Sequence, residues 1–384
     1  MLVRMLKLTW KQAAAWRAGR HFLDRRAPVD SLLPVASRLC GLHAQVMSSA
    51  ELAVWARVED ARREAVQKAL WEDRTLVKMW AMRGTLHLLP ASELSLWHGA
   101  LRTSRRYLKP ALWLKYFGLT MEDLDRVTEA IATALDGRVI TREELAREVR
   151  RITGSAAFGA KIVESSWGTI LRPAAISGRL CFGPSLGPRV RFTRPDTWLA
   201  GAGRAPGAPM DPQVATAEVA RRFLAAYGPA TYHDLARWWS GGGVATARQW
   251  IGALGEVVCA VNLEGARAWM LAADARQARQ AAMRSVRLLP MFDPYVVGAS
   301  YHARQLLPGD FRPRIYRQQG WISAVLLVNG RMEGTWTHEI KGSRVEVVLE
   351  PFVPQSLWVR RAAAREAERL AGFLGGKLKL AWRR

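Results

Sequence analysis

Two polar side chains, His43 and Gln45, lie two residues apart in the otherwise apolar stretch GLHAQV. Only Ala44 separates them, and Leu42 and Val46 flank the pair. Burying such a pair is costly unless both side chains find partners. Two interpretations follow. The residues are a core histidine bonded to a backbone carbonyl and a glutamine at a helix end, or they are two groups directed at one water molecule.

The elements that position this pair are predominantly helical. VDSLLPVASRL, just before the motif, predicts a short amphipathic helix. Three capping boxes predict where helices begin. In each, a threonine is the N-cap and the side chain three residues later accepts a hydrogen bond from the threonine amide. They are Thr9-Trp-Lys-Gln12, Thr120-Met-Glu-Asp123 and Thr141-Arg-Glu-Glu144. ITREELARE (140–148) and ATYHDLARW (230–238) share a T-x-x-(E/D)-L-A-R core, and each follows a longer amphipathic helix.

Helix, short helix, helix and hairpin in that order are typical of a winged helix. In the third such unit we predict helices over 214–227, 231–239 and 244–253, with two strands in EVVCAVNLEGARAWML. In the second unit, SSWGTILRPAAISGRL is the candidate third helix and LCFGPSLGPRVRFTR the wing. The hairpin of the first unit is TLVKMWAMRGTLHLLP, which turns near Arg83-Gly84.

Beyond residue 285 the pattern changes to strands. WISAVLLV and RMEGTW flank Asn329-Gly330, a type I′ turn signal, and SRVEVVLE alternates as another strand. PQSLWVRRAAAREAERLAGFLG closes the chain as an amphipathic helix. The predicted fold class is therefore α+β, with segments 1–118 (first winged helix unit, with the HAQ motif), 119–199 (second unit), 200–212 (Gly/Pro/Ala linker), 213–284 (third unit) and 285–384 (β-barrel-like region and terminal helix).

The charge balance indicates a polyanionic partner. The 384 residues include 57 lysines and arginines against 33 acids, a formal charge of +24. Basic residues recur along the chain rather than in one tail, for example at Arg102, Arg105 and Arg106. A folded chain this basic is expected to bind nucleic acid.

Other composition signals set further expectations. Three isolated cysteines, no signal peptide and no long apolar run predict a cytoplasmic protein without a membrane contact. We find no Walker loop, GxSxG, HExxH or zinc ligand set, so we expect no cofactor and no metal. We also expect a monomer. From the residues alone, the chain is a DNA binder rather than an enzyme.

Several blocks resemble the AlkZ/YcaQ family of winged helix DNA glycosylases. They are GLHAQV, WAR (55–57), MRGTLHLLP (82–90), SWGTILRPAAISGRLCFG, LLPMFDPYVVG (288–298) and GWISAVLLVNGRMEGTW (320–336). The resemblance spans nearly the whole chain. It implies three tandem winged helix units in a C-shaped arrangement around a DNA channel, with a C-terminal β-barrel. It also implies excision of N7-alkylated purines, in some members from interstrand crosslinks, and antibiotic self-resistance in some producers.

The family's catalytic motif, Gln, an aliphatic residue, then Gln or Asp, matches positions 43 to 45. Gln45 keeps the pattern, whereas His43 stands where a glutamine is usual. The resemblance thus makes His43 and Gln45 catalytic residues that hold the attacking water. We expect His43 to act neutral, kept so by nearby lysines and arginines, and the enzyme to be a monofunctional hydrolase because no lysine nucleophile is required.

The substrate predicted in this way is duplex DNA that contains alkylated purines. Candidate DNA-binding residues are Arg83, Thr85 and His87 on the first hairpin and Arg105 and Arg106 beyond it, and for the hairpin residues a structural role is equally compatible. Two alternatives stay open: a winged helix regulator without activity, and a protein that binds adducts without cutting. Trp55 and Trp80 could stack on a base or fill a core, and we favour the core.

Overall fold

A computed structural model describes residues 5–104, 111–298 and 303–383. Its α-helices are α1 (Trp10–Arg20), α2 (Leu32–Arg38), α3 (Met47–Trp55), α4 (Glu64–Trp71), α5 (Leu94–Leu101), α6 (Ala111–Phe117), α7 (Met121–Ala134), α8 (Arg142–Thr153), α9 (Ala156–Glu164), α10 (Arg172–Ile176), α11 (Pro195–Ala200), α12 (Pro212–Tyr227), α13 (Tyr232–Trp239), α14 (Val244–Gly252), α15 (Ala275–Gln280), α16 (Pro294–Gly298), α17 (Arg312–Ile315) and α18 (Leu357–Phe373).

The strands are β1 (Leu6–Leu8), β2 (Leu42–His43), β3 (Leu76–Trp80), β4 (Leu86–Pro90), β5 (Ile140–Thr141), β6 (Cys181–Leu186), β7 (Arg189–Thr193), β8 (Val258–Leu263), β9 (Ala266–Leu271), β10 (Val286–Leu289), β11 (Val325–Val328), β12 (Arg331–Lys341), β13 (Arg344–Pro351) and β14 (Lys377–Trp382). The α+β class predicted from the sequence is confirmed. The helices and strands predicted for 213–284 correspond to α12, α13, α14, β8 and β9, with boundaries that differ by one or two residues.

The three predicted capping boxes are confirmed. The Thr9 amide donates to Gln12 Oε1 at 2.9 Å, and the Gln12 amide donates back to Thr9 Oγ1 at 3.2 Å. The same reciprocal pair forms at the starts of α7 and α8. Each box satisfies two amides that have no partner within the helix, so a stretch of four residues fixes where the helix begins.

The described residues form two compact units. Within the described ranges, the residues of the first unit fall in the segments Met1–Ala65, Ala220–Trp238 and Val244–Arg384, and those of the second fall in Val66–Val219 and Trp239–Gly243. Each therefore collects segments that are distant in the sequence.

Two sheets belong to the first unit. In the smaller, β1 lies parallel to β8, which pairs with β9 in an antiparallel hairpin. In the larger, the strand order is β10-β11-β12-β13-β14. Asn329 and Gly330 join β11 to β12 with φ angles of 49° and 78°, and these positive values are what the predicted type I′ turn requires.

The larger sheet corrects the prediction of a barrel-like region. The described strands form no closed barrel, because β10 and β14 are the two edge strands of the sheet and do not pair with each other. The terminal helix does not close the chain either: KLKLAW forms β14 after it, parallel to β13. A parallel pair needs a crossover, and α18 provides it. The last strand thus extends one edge of the sheet instead of returning to β10.

The core of the first unit lies between this sheet and α18. Leu326, Trp336 and Val347 of the sheet are buried together with Ala363 and Leu370 of the helix. Trp55 belongs to the same cluster and is 1% exposed, which confirms its assignment to the core.

The second unit contains the predicted hairpin of 75–90, with Leu76 opposite Pro90 and Trp80 opposite Leu86. Trp80 is buried against Phe182 of β6, with ring centroids 4.8 Å apart, and is likewise a core residue. β6 and β7 form the second predicted hairpin, and β5 pairs with β7.

One predicted helix of the second unit differs from the structure. SSWGTILRPAAISGRL is a 3-10 helix over Ser166–Leu171 followed by the five-residue α10, and the longer helix before it is α9. Gly168 has a φ of 61°, which interrupts an α-helix, and Pro173 suits only the first turn of the next one. Among the helices of the described ranges, none is long and apolar enough to cross a membrane.

Candidate active site

The segment 43–45 lies where β2 passes into α3. Helix α2 ends in a Schellman motif: the Cys40 amide donates to Ser37 O at 3.0 Å, and the Gly41 amide donates to Ala36 O at 2.8 Å. Both residues have positive φ, 59° at Cys40 and 95° at Gly41. A left-handed cysteine is less favourable than the usual glycine, so the backbone just before His43 is held by its surroundings.

Burial distinguishes the two polar side chains. His43 is 6% exposed and Ala44 is fully buried, whereas Gln45 is half-buried. Helix α3 starts directly after them, with Val46 in an extended conformation at its N-cap. Gln45 therefore precedes the amino end of a helix, where the backbone carries a partial positive charge.

The His43 ring is stacked on Phe292. Their centroids are 4.8 Å apart and their planes differ by 12°. Phe292 in turn contacts Trp321, with centroids 5.3 Å apart, and Trp321 is 41% exposed. Three rings thus lead from the predicted catalytic histidine to the surface of the first unit. Stacking covers a face of the imidazole and leaves its edge, which carries both nitrogens, for hydrogen bonds.

A buried ion pair holds the segment that carries Phe292. Arg57 Nη1 and Nη2 donate to Asp293 Oδ2 and Oδ1, both at 2.7 Å, and neither side chain is exposed. Asp293 Oδ1 also accepts the Tyr295 amide at 2.9 Å, and Arg57 donates to Ala53 O at 3.0 Å. This bidentate ion pair, the Arg57–Asp293 fork, therefore connects the carboxyl end of α3 to the residue after Phe292.

Sequence reasoning did not predict this contact. WAR and FDP were both in blocks of the resemblance, but nothing in them showed that Arg57 and Asp293, 236 residues apart, would pair. A charged residue within an apolar block was the available signal, because a buried charge requires a partner.

A second buried cluster supports the turn before the motif. Tyr227 donates its hydroxyl to Leu39 O at 3.2 Å, and its ring meets His21 edge-on at 4.9 Å. Burial, and then the nearby Arg57 and Arg17, hold the pKa of His21 well below its usual range. His21 is therefore neutral, which suits a histidine inside the core.

The hairpin residues predicted to bind DNA form one cluster in the second unit. His87 Nδ1 lies 3.0 Å from Thr85 O, and its Nε2 lies 3.1 Å from Arg83 Nη2. A carbonyl can only accept, so Nδ1 carries the proton and Nε2 accepts from the guanidinium. Thr85 Oγ1 donates to Met82 O at 3.1 Å.

Arg83, Thr85 and His87 differ in their exposure to solvent. His87 is 2% exposed, while Arg83 and Thr85 are half-buried. Arg83 has a φ of 59°, so the tight turn presents it in an unusual backbone conformation. The prediction that these residues contact DNA stays a prediction, and the predicted Arg105 and Arg106 lie outside the described residues.

No group of three or more potential metal ligands occurs within the part of the chain that the structure describes. The site is therefore interpreted from its own side chains: an imidazole, an amide and the aromatic rings behind the imidazole.

Comparison with known families identifies the group of proteins to which this architecture belongs. Residues 36–373 match the family model described as DNA glycosylase AlkZ-like. The chain belongs to the AlkZ-like family. These proteins are DNA glycosylases, hydrolases that act on N-glycosidic bonds, so the chain is placed among enzymes rather than among winged helix regulators without activity.

Two AlkZ-like comparisons agree over nearly the full length. An interstrand DNA cross-link repair glycosylase of Streptomyces sahachiroi is 37% identical over 376 residues, which cover 96% of this chain and 98% of that protein. The solved structure of Streptomyces sahachiroi DNA glycosylase AlkZ superposes with a TM-score of 0.86 at 35% identity, covering 98% of this chain and 100% of the other.

Proposed function

We propose that this DNA glycosylase hydrolyses the N-glycosidic bond of N7-alkylated guanine in duplex DNA, with a water molecule held by His43 and Gln45. The observation that carries the proposal is the position of this pair: a buried histidine, clamped by Phe292, and a half-buried glutamine at the head of α3. The cross-link repair named for the Streptomyces sahachiroi relative supports bulky or crosslinked adducts as the substrate class.

The chemistry requires little from the protein. Alkylation at N7 makes the guanine cationic, so the base leaves as a neutral molecule and needs no protonation. The sugar becomes positively charged in the transition state, and water must attack its anomeric carbon. Neutral His43 accepts a hydrogen bond or a proton from one O–H of that water, and the Gln45 amide oxygen accepts a hydrogen bond from the other O–H, which stays on the attacking oxygen.

Since the base is already activated, no amine nucleophile is needed. We therefore propose a monofunctional enzyme without β-elimination. We also propose that it acts as a monomer. Self-resistance to a DNA-alkylating antibiotic is part of the proposal, and it rests on the family resemblance.

We also propose that segments 1–118, 119–199 and 213–284 are three winged helix units. What supports this is the recurring order of helices and hairpin, α7 to α10 before β6–β7 and α12 to α14 before β8–β9. In such units a wing contacts the DNA backbone, and Arg83 at the first hairpin turn would bind phosphate.

The decisive experiment is base release from a duplex with a single N7-alkylguanine. We expect release by the wild type, and about 10²-fold slower release by His43→Ala and by Gln45→Ala with DNA affinity preserved. Because both groups hold the same water, the double variant should lose less than the two single losses combined. Binding of the damaged duplex without release by the wild type would contradict the proposal and favour a binder of damage.

A further inference from the structure

A cavity of about 820 Å3 in the first unit lies apart from the His43–Gln45 pair. It is bordered by the segment around Asp24, by the start of β10 and by one face of α18. Arginines dominate its wall: Arg26, Arg284, Arg287, Arg361, Arg365 and Arg369. Asp24 and Glu366 are its acidic lining residues, so positive charge is in clear excess.

The inner arginines are already held in place. Glu366, which is buried, accepts two hydrogen bonds from Arg26 at 2.5 and 2.7 Å, and it lies 3.7 Å from Arg287. Arg369 donates to Trp55 O and Val58 O at 2.7 and 2.6 Å. These contacts fix the cavity floor without using the outer guanidinium groups.

Burial is the main influence on the pKa of two arginines at this floor. Burial, and then the neighbouring Arg26, lower the pKa of Arg369 to about 10. Burial lowers the pKa of Arg287 as well, although Glu366 acts in the opposite direction. Arg26, Arg287 and Arg369 line the same cavity as one buried carboxylate, Glu366, so positive charge is in excess there and an anion in the cavity would offset it.

The outer arginines are available to a ligand. Arg284, Arg361 and Arg365 are exposed, and none of them takes part in an ion pair between described residues. Arg361 and Arg365 are one turn apart on α18, where like charges destabilise the helix. The Arg284 guanidinium lies 5.0 Å from the Trp358 ring, which orients it at the rim.

We infer that this cavity is a phosphate-binding site that takes the backbone of a nucleic acid strand. Guanidinium groups match phosphate oxygens with paired hydrogen bonds, and those of Arg284, Arg361 and Arg365 remain for a ligand. The choice of a nucleic acid strand over a free phosphate compound rests on the proposed function and on the formal charge of +24.

The position of the cavity makes it a second contact on the DNA. Arg369 binds carbonyls at the carboxyl end of α3, whereas His43 and Gln45 precede its amino end. A nine-residue helix is about 13 Å long. The strand held here is therefore not the nucleotide under attack, and the cavity contributes affinity rather than chemistry.

The test compares two variants with equal loss of charge. Arg361→Gln/Arg365→Gln removes the outer wall, and Arg344→Gln/Arg360→Gln removes two exposed arginines that do not line the cavity. Binding of an undamaged duplex is measured over a range of salt concentrations. We expect the cavity variant to bind at least about 10-fold more weakly and its log–log salt slope to fall by about 2, while the control changes less than about 3-fold.

Further measurements identify the ligand. Calorimetric titration with inorganic pyrophosphate should show binding to the wild type and the control, and loss in the cavity variant. Equal weakening of DNA binding in both variants would overturn the site, because it would reduce the effect to general charge. Loss of pyrophosphate binding with unchanged DNA binding would overturn the nucleic acid strand as the ligand.

These results are independent of catalysis. At saturating damaged duplex the cavity variant should keep the wild-type excision rate, and a large fall in that rate would contradict a site for affinity alone. If the wild type released no base at all, the proposed function would fail, while the affinities for undamaged duplex would still decide the cavity. Thermal melting of both variants controls for folding.

Discussion

At the scale of single residues, the unusual feature is a histidine at a position where the family motif usually has glutamine. The stack on Phe292 fixes the plane of the His43 ring, so a proton acceptor is held in one orientation. Glutamine and neutral histidine can both accept a hydrogen bond from water, but only histidine is a base in the physiological pH range. The substitution therefore separates positioning of the water from removal of its proton.

The variant His43→Gln tests that distinction. If His43 only positions water, excision of a cationic N7-adduct should persist in the variant and should no longer decline at acid pH. Wild-type excision should fall as the pH drops through the range in which histidine titrates, because an imidazolium cannot accept a proton. Rates between about pH 5 and 9 provide the measurement.

A less activated adduct serves as the comparison substrate. For this substrate, general-base catalysis contributes about 10²-fold to the excision rate. His43→Gln should therefore slow release of the less activated base far more than release of the cationic base. A flat wild-type profile together with equal rates in the variant would exclude the general-base role and leave the positioning role intact.

At the scale of elements, α3 and the segment Phe292–Gly298 are joined by contacts near both ends of the helix. The Arg57–Asp293 fork joins the end of the helix to the segment, and the His43–Phe292 stack joins its beginning to the same segment. Phe292 has a φ of 56°, which an aromatic residue adopts only when its neighbours impose it. We therefore expect the ring of Phe292 to matter for geometry as well as for packing.

Phe292→Leu should reduce the excision rate at saturating DNA by about 10-fold, because the imidazole loses the flat surface that orients it. The matched control is Phe352→Leu. Phe352 is similarly buried and stacks on Phe311, with centroids 4.4 Å apart. Both variants should lose comparable stability, about 1 kcal/mol, but only the first should slow excision. An equal loss of activity in the control would show that general loosening is responsible.

Asp293→Asn should destabilise the protein by roughly 3–5 kcal/mol, since it leaves the buried Arg57 charge without its counter-ion. Urea unfolding measures this. The double variant Arg57→Met/Asp293→Asn should recover part of the loss, because it removes the uncompensated charge as well. A double variant less stable than the single one would mean that Arg57 contributes chiefly through its hydrogen bond to Ala53 O.

At the scale of the whole molecule, stability should depend on pH through buried histidines. His98 in α5 is 5% exposed, and its Nε2 has no hydrogen-bond partner among the described residues. Burial, and then Arg102, lower the pKa of His98 to about 4. Burial also depresses the pKa of His21 in the first unit. Both histidines are therefore neutral in the folded protein.

The sign of this effect follows from the unfolded chain, where a histidine has a pKa near 6.5. Below that pH the unfolded state binds a proton that folded His98 does not, so the free energy of unfolding falls as the pH drops from about 6.5 towards 4. Between pH 6.5 and a pH below about 4, titration of His98 lowers the free energy of unfolding by a total on the order of 3 kcal/mol, and above pH 6.5 this loss is absent.

His98→Leu should therefore flatten the pH dependence of urea unfolding between about pH 4 and 7, since leucine cannot take the proton. His233→Leu is the control, because that side chain is exposed rather than enclosed. Identical slopes in the wild type and His98→Leu would show that His98 titrates alike in the folded and unfolded chains.

Local sequence determined much of the secondary structure. The capping boxes, the Asn329-Gly330 turn and the hairpin of 75–90 each depend on residues a few positions apart, so their interactions could be inferred before folding. The His43–Gln45 pair was also singled out by the sequence, because two polar groups in an apolar stretch need a reason. Its assignment as a catalytic pair came from the family resemblance and stays a prediction.

Tertiary structure decided what surrounds that pair. The stack of Phe292 on His43, the Arg57–Asp293 fork and the arginine cavity join segments separated by hundreds of residues, and no local pattern encodes which segments meet. The barrel prediction was wrong for the same reason: alternation identifies strands, but the pairing of β14 parallel to β13 depends on where α18 returns the chain. Local hydrogen bonds specify elements, whereas burial of apolar faces and compensation of buried charge select their partners.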